Sequence, residues 1–260
     1  MRSGILIIPL SVAFIFALAV IPAWPQEPSG PDVAQNVHDR NVGDDMTCSQ
    51  TMELIPASGQ PRVRKLTVTG ADRDGLRRSL LRFTSPADIE GTGFLAMEDG
   101  QGGTEQFLYL PALKRSRRIV AGQKGRSFVN TDFTYEDMER RPVDDSEHKV
   151  TGEEAVGGVA CWILESRPKP EAESQYSLIR AWVARDMHLP LRVDFFKKGK
   201  EPTKRYTVLQ LENIQEIWTE TKVVMEDLES GHRTVLTTSE VRYNTGVAES
   251  AFSTQALENW

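Results

Sequence analysis

Four histidines, two cysteines and two adjacent pairs of carboxylates are the residues of this chain best suited to covalent or metal chemistry. His38, His148, His188 and His232 are scattered, and neither a His-Glu-x-x-His nor a Cys-x-x-Cys spacing is present to seat a zinc ion. No Gly-x-Ser-x-Gly elbow presents a serine nucleophile, and the glycine-rich turn from Gly100 to Gly103 lacks the Lys-Ser/Thr of a phosphate loop. Glu136/Asp137 and Asp144/Asp145 could supply an acid and a base. Neither pair has a nucleophile or a ligand set beside it, and adjacent carboxylates are common on solvated loops. The histidines read as surface residues. The expectation is a protein that is not an enzyme and needs no metal and no cofactor.

Binding is the chemistry that remains, and three residue sets bear on it. Cys48 and Cys161, if they met in an oxidising compartment, would close a loop of about a hundred residues and stabilise by roughly 4 kcal/mol. They read equally as two buried small hydrophobes, because sequence does not say whether their Cα atoms approach within about 7 Å. The basic run Lys114, Arg115, Arg117 and Arg118 could meet anionic lipid headgroups or an acidic partner at the mouth of a groove. Its plainer reading has the cations pairing with Asp132, Glu136 and Asp137, or standing in water. Phe94, Phe107, Tyr109, Phe128, Phe133, Trp162, Trp182, Phe195 and Trp218 are candidates to line an apolar groove, although aromatic strand residues ordinarily form a packed core.

The elements that must position these residues follow a period of two. Met46, Cys48, Met52 and Leu54 share one face of a run, Val63, Leu66 and Val68 belong to the next, and Leu81 with Phe83 to a third. Further strands are expected at 93–97, 106–110, 117–121, 158–165, 176–184, 191–197, 204–212, 218–227 and 233–242. A polar hairpin connection is expected at 71–75, and glycine-bearing turns at 98–103, 198–200 and 229–231. Helical candidates are short: 32–40, 85–89, 134–140 and 249–257. Without long helices between strands a parallel sheet is not expected, and an antiparallel sheet of this size hides its edges by curling into a barrel or stacking as two sheets. A few helices plugging a partly open barrel would leave an apolar cavity on the concave face.

Residues 1–23 read as an export signal. Arg2 supplies the positive start, an apolar run spans 5–20, and Ala23 offers a cleavage point. An uncleaved membrane anchor is the alternative. No cysteine lies near the cleavage point, where Trp24 follows Ala23, so a soluble, unlipidated, periplasmic protein is expected, with a linker and short helix over 24–45 and one domain over 46–260. With 31 basic and 37 acidic residues the formal charge is −6, which argues against a general nucleic-acid binder.

The middle of the chain is its most specific part. Phe107 to Ile119 reads FLYLPALKRSRRI, and Ser127 to Met138 reads SFVNTDFTYEDM, after RF-x-x-P at 82–86 and G-x-GFL at 91–95. As a set these segments resemble the outer-membrane lipoprotein-sorting family of LolA-like periplasmic proteins. Further likeness lies in Gly157 to Glu165, in Tyr176 with Trp182, in Leu189-Pro190-Leu191 and in Thr234. One departure is Asn130, where the family pattern leads one to expect glycine; asparagine tolerates a left-handed backbone better than most residues.

The resemblance implies a mainly β fold: a strongly curved antiparallel sheet forming an open half-barrel, with a few short helices across its mouth. It also implies a carrier that binds a lipid or the acyl chains of a lipoprotein in an apolar groove, between an inner-membrane exporter and an outer-membrane acceptor. The alternative is a non-enzymatic periplasmic adaptor or sensor docking on a membrane exporter or signalling partner. A monomer is expected in either case.

Overall fold

The alternating runs assemble into one sheet. The computed structural model describes residues 28–259, so the export-signal reading of residues 1–23 lies outside the described residues. Its strands are β1 (Asp45–Ile55), β2 (Arg62–Arg73), β3 (Leu76–Ser85), β4 (Gly93–Glu98), β5 (Thr104–Leu110), β6 (Arg115–Arg118), β7 (Ser146–Val156), β8 (Val159–Pro168), β9 (Leu178–Ala184), β10 (Leu189–Phe196), β11 (Lys204–Ile214), β12 (Ile217–Asp227) and β13 (Arg233–Tyr243). Two α-helices are described, α1 (Gly30–His38) and α2 (Thr254–Glu258). The order across the sheet is β6-β5-β4-β3-β2-β1-β13-β12-β11-β10-β9-β8-β7. Two antiparallel meanders are therefore joined where β1 pairs with β13, and β6 and β7 are the edge strands.

Turn chemistry sets the register. Asp74-Gly75 joins β2 to β3 and Gly157-Gly158 joins β7 to β8, with φ of 56°, 73°, 59° and 83°. Two consecutive left-handed residues give the turn whose twist matches antiparallel neighbours. Between β11 and β12 the same task falls to Gln215 and Glu216, at φ 51° and 66°, without a glycine to announce it.

The strand that periodicity does not reveal is β7. Its residues alternate between half-buried and exposed, and none is fully buried, because it is an edge strand rich in Glu, Lys and His. Of the expected helices, 134–140 contains only one 3-10 turn, Glu136–Met138, and 85–89 is a turn with no helix. The strand expected at 117–121 lies earlier, at Arg115–Arg118, and Ile119 beyond it is buried.

One face of both meanders meets in a common core. Leu66, Phe83, Phe94, Phe128, Tyr176, Phe195 and Met225 belong to a single buried cluster, which requires the sheet to curl around it. The segment between β6 and β7 inserts Phe128, Phe133 and Tyr135 into this cluster, with the Phe94 and Phe128 rings edge-on at 5.0 Å. On the opposite face of β3 and β4, Leu80 and Leu95 pack with Phe252 and Leu257, so α2 covers the outside of the sheet. Gly93 makes this possible: a Cβ there would stand 2.7 Å from Leu257 Cδ1.

Candidate functional site

The site begins with how the sequence holds α1. Ser29 caps the helix: its Oγ accepts from Asp32 N at 3.2 Å, and the Asp32 carboxylate accepts from Ser29 N and Oγ in return. Gly30 packs against the β7 backbone so closely that a Cβ would fall 2.3 Å from the His148 carbonyl oxygen. Val33 and Ala34 pack on Leu164 of β8 and Val183 of β9. At the other end, the His38 carbonyl accepts from Arg77 Nη2 at 3.2 Å and Arg140 Nη1 at 3.4 Å. Guanidinium groups suit the electronegative end of a helix.

These arginines are themselves anchored. Arg77 Nε donates to Asp72 at 2.8 Å, and Arg140 grips Glu98 through Nε, at 2.8 Å, and Nη2. Arg40, just past the helix, lies 3.7 Å from Glu220 of β12. The helix is thus strapped from β7 to the β2–β3 end of the sheet, with a further tie to β12.

A cavity of about 720 Å³ lies between α1 and the sheet. Ala34 and Val37 of α1, Ile179, Ala181 and Val183 of β9, Val193 and Phe195 of β10, and Met225 of β12 give it an apolar wall. Arg40, Arg77, Arg140, Glu98 and Glu220, the residues that tie down α1, give it a charged rim. Its size falls in the range of small-molecule pockets; its wall beneath α1 is apolar and suits a hydrophobic ligand, and many charged and polar side chains line the remainder.

The segment 126–138 walls off the cavity from the filled half of the curled sheet. Val129 and Asn130 both have positive φ, 49° and 60°, so Asn130 takes the left-handed conformation that the family pattern assigns to glycine. Arg64 Nη1 donates to the Val129 carbonyl at 2.6 Å and holds the turn. Asp132 is bound by Thr234 Oγ1 at 2.6 Å and His232 Nδ1 at 2.7 Å. Glu136 accepts from Ser174 Oγ and from Gln175 N at 3.1 Å. Asp137 accepts from Thr134 N, Thr134 Oγ1, the Tyr176 hydroxyl and Lys204 Nζ. Burial alone would raise the Asp137 carboxyl. The Lys204 and Arg141 charges and these hydrogen bonds outweigh it and hold the carboxyl below its ordinary value.

Two of the nine aromatic candidates, Phe133 and Phe195, line the cavity. Phe94 and Phe128 lie in the filled core beside it. Phe107 and Tyr109 pack outside, against the α2 side, because Leu108 between them takes the inward position on β5. Trp182 also sits in a separate cluster, donating through Nε1 to Glu154 at 2.7 Å. Trp162 lies under the Arg185 guanidinium, 3.8 Å from the ring centroid, and Trp218 is 41% exposed. The cavity wall that residue type did not announce is made of small aliphatics; the alternation Ile179, Ala181, Val183 in β9 is its sequence signal.

The basic run does not pair with Asp132, Glu136 or Asp137, whose partners are those named above; this corrects the pairing half of the plainer reading, and leaves the half in which the cations stand in water. Lys114, Arg115, Arg117 and Arg118 are exposed, and Arg118 pairs instead with Glu105 at 2.8 Å. Cys48 and Cys161 are free and buried, one on β1 and the other on β8, in separate regions of the sheet; the possible disulfide is not formed. Among the described residues no cluster of His, Cys, Asp and Glu could hold a metal ion, and no helix is long and apolar enough to cross a membrane.

A family model described as "Uncharacterized protein" matches residues 75–259. Among solved structures, the chain is similar to a DUF1329 family protein from Desulfovibrio piger, at 32% identity and a TM-score of 0.82, over 88% of this chain and 97% of that one. An outer membrane lipoprotein-sorting protein domain from Vibrio parahaemolyticus aligns at 27% identity and a TM-score of 0.82, over 88% and 98% of the two chains. A LolA superfamily protein from Nitrosomonas europaea shares the fold at 16% identity and a TM-score of 0.67, over 87% and 98%. No curated protein sequence matches the chain.

Proposed function

The chain belongs to the DUF1329 family and has a LolA-like fold, and from that premise we propose that it is a periplasmic carrier holding a lipid, or the acyl chains of a lipoprotein, beneath α1. The observation that carries this reading is the cavity itself: about 720 Å³ with an apolar wall, in a curled sheet whose other half is filled by its own side chains. An acyl chain leaving water gains about 0.8 kcal/mol per buried methylene, so retention needs a dry, accommodating wall more than directed polar contacts. Small side chains at Ala34, Ala181 and Val183 supply room, and the charged rim offers a place for a polar head.

The reading includes export of the chain to the periplasm, handover from an inner-membrane donor to an outer-membrane acceptor, and one domain over residues 46–260. A space left open beneath the helix favours a carrier over an adaptor or sensor, which would use a solid core beside an exposed apolar patch. Mass spectrometry of organic extracts of the purified protein, with displacement of a fluorescent fatty acid, tests the reading. A co-purified lipid or saturable displacement is the expected result. Absence of both, for every acyl length tried, counts against it.

A further inference from the structure

Residues 106–131 contain six cations and no Asp or Glu, in a chain whose formal net charge is −6. Around β6 and the turns that flank it the chain is therefore locally basic, with no acid among the cations. Two of the six are neutralised locally: Arg118 pairs with Glu105 and Lys124 with Glu139, each at 2.8 Å. Lys114, Arg115 and Arg126 form no ion pair among the described residues, and Arg117 reaches the Tyr135 hydroxyl. All four of these side chains stand exposed. Between them rise two large apolar side chains, Leu113 at 53% exposure and Val120 at 55%.

We infer that the β6 edge and its flanking turns form a docking surface for an anionic membrane. Clustered cations are drawn to the negative potential of such a surface, and apolar side chains among them can enter the headgroup boundary. An extended acidic peptide fits less well. A peptide joins a sheet edge through free backbone groups, and at this edge the Ser116 N–H already donates to Glu258 of α2 at 2.8 Å, with Ser116 Oγ on the same oxygen. The edge is closed to a strand while its charges stay open to a surface.

The surface is separate from the cavity, since Leu113, Lys114, Arg115, Arg117, Val120 and Arg126 do not line it. The inference does not depend on what the cavity holds. Co-sedimentation of the purified protein with phosphatidylcholine vesicles, with and without phosphatidylglycerol, tests it. Binding is expected only to the phosphatidylglycerol vesicles, and it should weaken as salt rises to about 0.15 M, where the Debye length is about 8 Å. In the variant carrying Lys114→Gln and Arg115→Gln, binding should weaken by roughly five-fold per cation removed, while circular dichroism and uptake of a fluorescent fatty acid stay as in the parent. Equal binding to neutral vesicles, no binding to anionic ones, or undiminished binding by the variant would overturn it. Vesicle binding by a protein that takes up no acyl probe would sustain the membrane surface and sink the carrier.

Discussion

Lys204 Nζ and an oxygen of Asp137 form an ion pair inside the protein, between residues 67 positions apart, with side chains only 6% and 2% exposed. Asp137 is the last residue of the Tyr-Glu-Asp segment, and Lys204 opens β11, so the pair fixes the inserted segment to the sheet. The Tyr176 hydroxyl completes the arrangement, donating to Asp137 at 2.9 Å and lying 3.1 Å from Lys204 Nζ. Removing the cation alone leaves a buried carboxylate, a change that typically costs about 3–5 kcal/mol. Lys204→Met should show a loss of that order in urea unfolding. The double variant Lys204→Met with Asp137→Leu should be less impaired than the single one. A single variant as stable as the parent would show that the pair does not hold the segment.

Acid should loosen the same region. The Asp137 carboxyl is held below its ordinary value although burial pushes it up, because the Lys204 and Arg141 charges prevail. Asp194 behaves alike: burial raises it, and hydrogen bonds and charges from Arg205 and Arg192 bring it down. A carboxyl depressed in the folded state contributes stability that is present above its unfolded value, about 3.9, and disappears as pH falls through the folded one. The urea midpoint should therefore drop steeply below about pH 4. Asp194→Asn should flatten that drop, and an unchanged slope in the variant would remove Asp194 from the explanation.

Much of this architecture was legible because buried strands alternate. The runs in β1, β2 and β3 place apolar residues on one face, and Asp74-Gly75 marks its own turn. β7 was not legible: an edge strand with no fully buried residue needs no apolar alternation, and its Glu and Lys residues look like loop. The turn at Gln215 and Glu216 was hidden for another reason, since its left-handed residues are neither Gly nor Asn. For the site, aromatic residues were the obvious markers, but packing takes most of them into solid core or onto the outer face. Open space is bounded instead by residues too small to fill it, such as Ala181, and smallness in a strand carries little signal until the strands are curled together. The acids of the inserted segment were visible as chemistry, but their partners Lys204, Tyr176 and His232 come from distant parts of the chain.

Both thiols should be silent in the folded protein. Burial pushes the Cys48 thiol up to about 11, and the Cys161 thiol is raised by burial as well. Little thiolate exists near neutrality at such values, and neither sulfur is placed where a reagent can reach it. An aromatic disulfide reagent should titrate essentially no thiol in native protein, and both after unfolding in denaturant. Absence of free thiol in the denatured, unreduced protein would mean that the cysteines are joined after all.

The cavity makes a demand that a packed core does not. Ala181 lines the space on β9, between Ile179 and Val183, so a larger side chain there has open volume to enter beside the Val33 and Ala34 contacts of α1. In a solid core the same change would overpack and cost about 1–3 kcal/mol. Ala181→Trp should therefore leave thermal stability near that of the parent while lowering fatty-acid affinity at least about ten-fold, equivalent to about 1.4 kcal/mol. Trp218→Ser supplies the contrast, because Trp218 is exposed and does not line the cavity; its affinity should match the parent's. If Ala181→Trp binds the probe as tightly as the parent, the acyl chain lies elsewhere. If it unfolds instead, the space beneath α1 is already needed by the side chains around it, and the carrier reading loses its main support.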